Sequence, residues 1–173
     1  MSITVRAART ADVEAIESLI EPYVKQRILL GKDAVVLYEA IQQFVVAEEG
    51  GAVVGCGALH VMWRDLGEVR TVAVAESHRG RGVGRAIIDA LEGSARTLGL
   101  TRLFCLTFET DFFRRLGYEV IGEVGDDTET SALVSPDVYA ELVRSPDEGV
   151  AEFLNLARVK PNTLGNTRML KSL

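Results

Sequence analysis

Thr71-Val72-Ala73-Val74-Ala75-Glu76-Ser77-His78-Arg79-Gly80-Arg81-Gly82-Val83-Gly84 is the stretch that decides the fold. It starts as an apolar strand, passes through a glycine-rich turn and opens a helix. Val83, Ile87, Ile88, Leu91 and Ala95 fall on one face of that helix, which spans about residues 83–98. Such a turn sets amides without helical partners at the positive end of a helix dipole. Its glycines let a phosphate approach the backbone. Arg79, Arg81 and Arg85 gather positive charge there, in a chain with a formal net charge of −6. The pattern suits a pyrophosphate, although a tight structural turn with a solvated basic face gives the same string. A Rossmann site wants G-x-G-x-x-G after the first strand, whereas Gly80, Gly82 and Gly84 follow a later one. A Walker A loop wants Gly-Lys-Ser/Thr, which the sequence lacks.

Outward from this turn, the chain reads as alternating strands and helices. Upstream, Ile3 to Ala7 alternates like a short strand. Residues 11–23 read as an amphipathic helix capped by Thr10, with Val13, Ile16, Leu19 and Ile20 inward. Residues 33–43 read as a second helix, capped by Asp33, with Val36, Leu37, Ala40 and Ile41 inward. Phe44 to Glu48 and Ala52 to Met62 form a hairpin around Glu49-Gly50-Gly51, and Glu68 to Val74 is the next strand. Downstream, Gly99 ends the central helix. Leu103 to Thr107 is a buried strand, residues 110–116 a short helix, and Tyr118 to Ile121 a strand. Pro136 to Val143 and Glu148 to Leu156 read as short helices, and Thr167 to Leu170 as a closing strand. The expectation is a single domain over 1–173. Its core is about 3–121, and 122–173 adds a helical elaboration and the closing strand.

The 173 residues suit one sizeable core, and 47 % apolar with 25 % charged residues is a globular balance. Acidic charge argues against nucleic acid and against an anionic membrane surface. No apolar run approaches the roughly 20 residues of a membrane helix. The first residues lack the pattern of a signal peptide, so a cytoplasmic location is expected. Cys56 and Cys105 stand in apolar runs without metal-ligand spacing, so they read as buried free thiols, and no metal is expected.

Thr71 to Val74 with Arg79 to Gly84 resembles the acetyl-CoA signature of the GCN5-related N-acetyltransferases (GNAT). Phe112-Phe113-Arg114-Arg115-Leu116-Gly117-Tyr118 resembles that family's second landmark, and the order of elements agrees over about residues 3–121. The implied fold is α/β, a mixed, mostly antiparallel sheet flanked by helices, and the implied cosubstrate is acetyl-CoA. Residues 28–44, Gly67 to Val74, Leu106-Thr107 and Asn166 to Leu170 resemble the amino-acid N-acetyltransferases, which acetylate glutamate at the first step of arginine biosynthesis. The chain is similar to a stand-alone form without the kinase-like domain of better-known bacterial members.

The resemblance implies that Val72 and Val74 offer backbone amides to the pantetheine arm and the acetyl carbonyl. Arg79, Gly80, Arg81, Gly82, Val83 and Gly84 then hold the pyrophosphate. Glu68 lies six residues before Val74, the spacing of the catalytic glutamate in histone-type members. A straight strand puts Glu68, Arg70, Val72 and Val74 on one face unless a bulge intervenes. Glu68 is therefore the candidate general base, with an ion pair as the alternative and His60 as the rival base. Many members carry a tyrosine that protonates the leaving thiolate where this sequence has Phe113. Lys32, Arg70, Asn166 and Arg168 are the candidate substrate-binding residues, since arginine suits carboxylates. Glutamate and glutamine are not separated by these residues. Another small amine or a peptide N-terminus, a non-catalytic acetyl-CoA sensor and a nucleotide-binding module stay open beside them. The expected partner is a small amino-acid substrate, and the apolar positions of 136–156 offer a surface for a homodimer.

Overall fold

The structure, a computed structural model, describes residues 2–29, 31–127, 130, 132–159 and 165–173. Residue 30 of the 28–44 segment, and residues 128, 129, 131 and 160–164 of the elaboration, lie outside the described residues. The strands are β1 (Thr4–Ala7), β2 (Phe44–Glu49), β3 (Ala52–Val61), β4 (Leu66–Val74), β5 (Arg102–Thr107), β6 (Glu119–Glu123) and β7 (Thr167–Ser172). The helices are α1 (Val13–Lys25), α2 (Ala34–Glu39), α3 (Val83–Thr97), α4 (Thr110–Arg115), α5 (Pro136–Leu142) and α6 (Glu148–Leu154). The strands form one mixed sheet in the order β1-β2-β3-β4-β5-β7-β6. The β4–β5 pair is parallel, and β1–β2, β2–β3, β5–β7 and β6–β7 are antiparallel. This is the mostly antiparallel α/β architecture that the sequence implies.

The chain folds as two compact units, Met1–His60 with Val69–Leu98, and Val61–Glu68 with Gly99–Leu173. In the first, Val13, Ile16 and Ile20 of α1 pack with Leu37, Ile41, Phe44, Val46, Cys56, Ala58 and Ala73. The apolar stripe of α3 is fully buried, as its 3.6-residue spacing demands. It comes close to β3 because Gly55 and Gly57 have no side chain. A Cβ on Gly57 would stand 2.7 Å from Ile87 Cγ2 and 3.1 Å from Leu91 Cδ1.

Two expectations about local structure are corrected here. Thr10 does not cap α1; it begins a 3₁₀ turn over Thr10–Asp12. The carboxylate of Asp12 instead accepts the Arg9 amide at 2.7 Å and the Arg6 guanidinium at 2.8 and 2.9 Å. The helix over 33–43 also breaks after Glu39 into a 3₁₀ turn at Ile41–Gln43. That change of twist buries Leu37 and Ile41 but leaves Val36 40 % exposed.

In the second unit β7 lies between β5 and β6. Leu66, Phe104, Leu142, Val150, Phe153 and Leu154 form its core, with Met62. Phe104 and Phe153 meet edge to face at 5.3 Å, which seats α6 on β5. The apolar residues of α5 and α6 are thus spent within the unit. Tyr139 and Val143 are the large apolar residues of this stretch that stay exposed. Cys56 and Cys105 are buried and free. Burial pushes the Cys56 thiol up to about 12.

Candidate active site

The glycine-rich turn of the first unit has the geometry of an anion cradle. Gly80 and Gly82 adopt φ of 73° and 82°, a region that residues with a Cβ avoid. Nothing stands within 4 Å of where a Cβ would be at either glycine, so the backbone faces open space. Gly82 is the N-cap of the 15-residue α3. Its carbonyl accepts the Ala86 amide at 3.0 Å. The amides of Val83, Gly84 and Arg85 precede that first bond and have no carbonyl partner inside the helix. These donors at a dipole's positive end fit a pyrophosphate.

The arginines are less simply placed. Arg81 does not point its charge at the turn alone: it grips Glu49 of the β2–β3 hairpin, at 2.7 and 3.2 Å. His78 Nε2 reaches the same carboxylate at 2.9 Å. Arg81 first, then His78, hold the Glu49 carboxyl below the usual range. A phosphate must therefore compete with Glu49 for Arg81. Arg79 lies over the ring of Tyr23, 5.3 Å from its centroid. The Tyr23 hydroxyl donates to the Val74 carbonyl at 2.5 Å and accepts the Val74 amide at 3.3 Å. Tyr23 thus touches two residues of the expected cosubstrate site. Sequence reading missed it because nothing local links α1 to the end of β4.

Strand β4 carries a backbone irregularity within its Leu66–Val74 span. Thr71 has φ of 56°, a costly value for a β-branched residue. Its carbonyl accepts the Cys56 thiol at 3.5 Å. A backbone irregularity of the kind that interrupts a straight-strand face therefore stands at Thr71, while burial goes on alternating from Val69 to Val74. Val72 and Val74 are half-buried, and the Val72 side chain lies beside Gly57.

Glu68 belongs to the second unit. It is 4 % exposed and is the register partner of Phe104 in the parallel β4–β5 pair. Burial, and next the charge of Glu68, push the Cys105 thiol well up. The carboxylate sits against Gly149 of α6, where a Cβ would come within 2.1 Å of Oε2. Sequence reading placed Glu68 but had no means of finding Gly149.

The substrate-binding candidates divide. Lys32 and Arg70 are half-buried in the first unit, and His60 is half-buried at the end of its part of β3. Asn166 is buried beside β7. Arg168 is 0 % exposed. Its Nε donates to the Glu152 carbonyl at 2.9 Å and its Nη2 donates to the Phe153 carbonyl. Through these bonds the guanidinium ties the last turn of α6 to β7. Burial lowers its pKa.

Comparison with known proteins decides the family. The model of the acetyltransferase (GNAT) family matches residues 13–118. The chain belongs to the GNAT family. It is an acyltransferase, and it is 54 % identical over 169 residues to the amino-acid acetyltransferase of Mycobacterium tuberculosis, covering 96 % of this chain and 92 % of that protein. A crystal structure from M. tuberculosis, in complex with CoA and NLQ, matches with TM-score 0.87 and 53 % identity, over 98 % of this chain and 99 % of that one. N-acetylglutamate synthase of Neisseria gonorrhoeae, complexed with coenzyme A and N-acetyl-glutamate, shares the fold. Its TM-score is 0.76 at 23 % identity, over 100 % of this chain and 35 % of that one. Within this GNAT chain Phe113 is buried between Phe112 and Tyr118, edge to face with both at 5.1 and 5.2 Å. Its ring has no proton to give, and in the structure it serves packing.

Proposed function

We propose that this chain transfers the acetyl group of acetyl-CoA to the α-amino group of glutamate or glutamine, at the first step of arginine biosynthesis. The 54 % identity to an amino-acid acetyltransferase carries the reading, because it runs over 96 % of the chain. Acetyl-CoA, when bound, supplies an acyl carbon activated by its bond to sulfur. The amides that open α3, with Gly80 and Gly82, hold the pyrophosphate. The backbone of Val72 and Val74, beside the irregularity at Thr71, meets the arm and the acetyl carbonyl. The Val74 amide gives up its long contact with Tyr23 to do so. Lys32, Arg70 and Asn166 fix the substrate's carboxylate and its side-chain amide or acid. Arg168 acts behind them by fixing α6.

Glu68 takes the proton of the substrate ammonium, which is otherwise retained at pH 7. The freed amine forms the new C–N bond as the C–S bond breaks, and the second proton that the nitrogen sheds on becoming an amide goes to water. With Phe113 unable to act as an acid, the sulfur leaves as a thiolate, which a thiol pKa near 8.5 permits.

The test is CoA release measured with a panel of amino acids and amines, on wild type and Glu68→Gln. Glutamate or glutamine should be preferred, and the variant should lose about 10²–10⁴ in kcat. Preference for an unrelated amine or a peptide N-terminus would overturn the substrate, and an undiminished Glu68→Gln would overturn the base.

A further inference from the structure

Gly149 is the second residue of α6 and is buried. Its φ is not in the left-handed region, so its backbone would suit alanine. On helix propensity alone alanine would be the better residue there. What excludes a side chain is Glu68. A Cβ on Gly149 would lie 2.1 Å from Glu68 Oε2, 2.7 Å from Cδ and 2.9 Å from Oε1, and these are its three nearest neighbours. The space that the missing methyl leaves is the space the carboxylate fills.

The wall that carries Gly149 is fixed from several sides. The Asp147 side chain accepts the Val150 amide at 3.3 Å at the start of α6. Arg168 binds the Glu152 and Phe153 carbonyls at its end. Thr130 Oγ1 donates to the Leu154 carbonyl at 3.1 Å. Phe153 packs on Phe104, the strand neighbour of Glu68. A buried arginine spent on backbone carbonyls stabilises a local arrangement strongly, because removing it would strand those acceptors.

From this we infer that Gly149 is a positioning residue for the reaction: α6, held by Arg168 and Phe153, presents a side-chain-free backbone that sets where the Glu68 carboxylate stands. The inference rests on Glu68 being the base. A methyl at 149 displaces the carboxylate, because the end of a flexible side chain yields before the backbone of a pinned helix does. The cosubstrate turn in the first unit is untouched by that change.

The experiment is a mutant cycle read by steady-state CoA release and thermal unfolding. Gly149→Ala should lower kcat by about 10²-fold, near the lower range for loss of a general base, with KM for acetyl-CoA within about twofold. In the Glu68→Gln background the same substitution should cost less than about threefold, because there is no base left to misplace. The Glu68→Asp/Gly149→Ala pair withdraws the carboxylate from the methyl by one methylene, and its kcat should equal that of Glu68→Asp alone. This pair also reads the outcome should Gly149→Ala not fold. Full activity of Glu68→Gln would overturn the base assignment and this inference together. An inactive Glu68→Gln beside a wild-type Gly149→Ala would overturn the positioning alone. So would a Gly149→Ala loss that multiplies in full in either Glu68 background.

Discussion

Arg6 reaches Asp12 with both terminal nitrogens, at 2.8 and 2.9 Å, and Glu48 through Nε at 3.0 Å. The hydrogen bond from Arg6 is the main cause holding the Asp12 carboxyl below its usual range, and partial burial opposes it. A carboxylate with a depressed folded-state pKa contributes stability that is present above its unfolded value. That contribution is lost as the pH falls through the folded value. Asp12→Asn should therefore cost about 1–3 kcal/mol at pH 7. The gap between variant and wild type should narrow below about pH 4, where the unfolded carboxylate protonates. Urea unfolding at pH 7, 5 and 3.5 checks this, and a gap that stays constant over that range would sink it. Single residues were unevenly legible. The expectation at Glu68 rests on its spacing to Val74 in the family that the sequence resembles, and both residues lie on β4. Arg168 reads from the sequence as a carboxylate ligand, because arginine suits carboxylates. Its burial depends on carbonyls of α6, which only the fold brings to β7. Tyr23 gave no signal because its partner, Val74, lies on a distant strand.

Strand β3 and helix α3 show how one element shapes another. The Cβ-free positions Gly55 and Gly57 receive Ile87 and Leu91, and Gly55 also receives Val83. Gly57→Ala must push back Ile87 Cγ2, which would stand 2.7 Å from the new methyl. Overpacking of this kind costs about 1–3 kcal/mol, or roughly 2–12 °C of melting temperature at this chain length. Ile87→Ala removes the offending methyl, so the pair should be less destabilised than the two single effects added. Strict additivity in thermal melts would show that the two residues do not meet. Helix α3 was readable almost to its ends, since its apolar period and the glycine after it both mark them. The irregularity at Thr71 was not. Threonine is a strand former, so local preference argues for a straight strand, and only tertiary structure holds its φ at 56°. The place of β7 between β5 and β6 was also unreadable, because a strand's own sequence does not name its neighbours.

On the scale of the whole molecule, the sequence reads as a single domain over 1–173, with a regular core to about residue 121 and an elaboration beyond it. Contacts group the chain into two units whose limits fall after His60, Glu68 and Leu98. Two of these points lie inside strands β3 and β4, and no linker of glycine, proline or polar residues marks them, which is the signal a boundary normally leaves. Charge poses the other whole-molecule question. A chain at −6 must hold a polyanionic cosubstrate, so attraction has to come from the local dipole and glycine backbone of the turn. Acetyl-CoA at a hundred times its Kd should then stabilise the protein by about 2.7 kcal/mol, a rise of roughly 5–10 °C in melting temperature. Gly82→Val puts a branched side chain into the open space at a residue with φ of 82°. It should lower the melting temperature of the unliganded protein and also reduce the shift with acetyl-CoA to under about 2 °C, through a loss of affinity of about a hundredfold. Glu68→Gln, which leaves the turn intact, should keep the full shift while losing turnover. A full shift in Gly82→Val would place the cosubstrate's phosphates elsewhere, and a lost shift in Glu68→Gln would mean that the carboxylate serves binding rather than proton transfer.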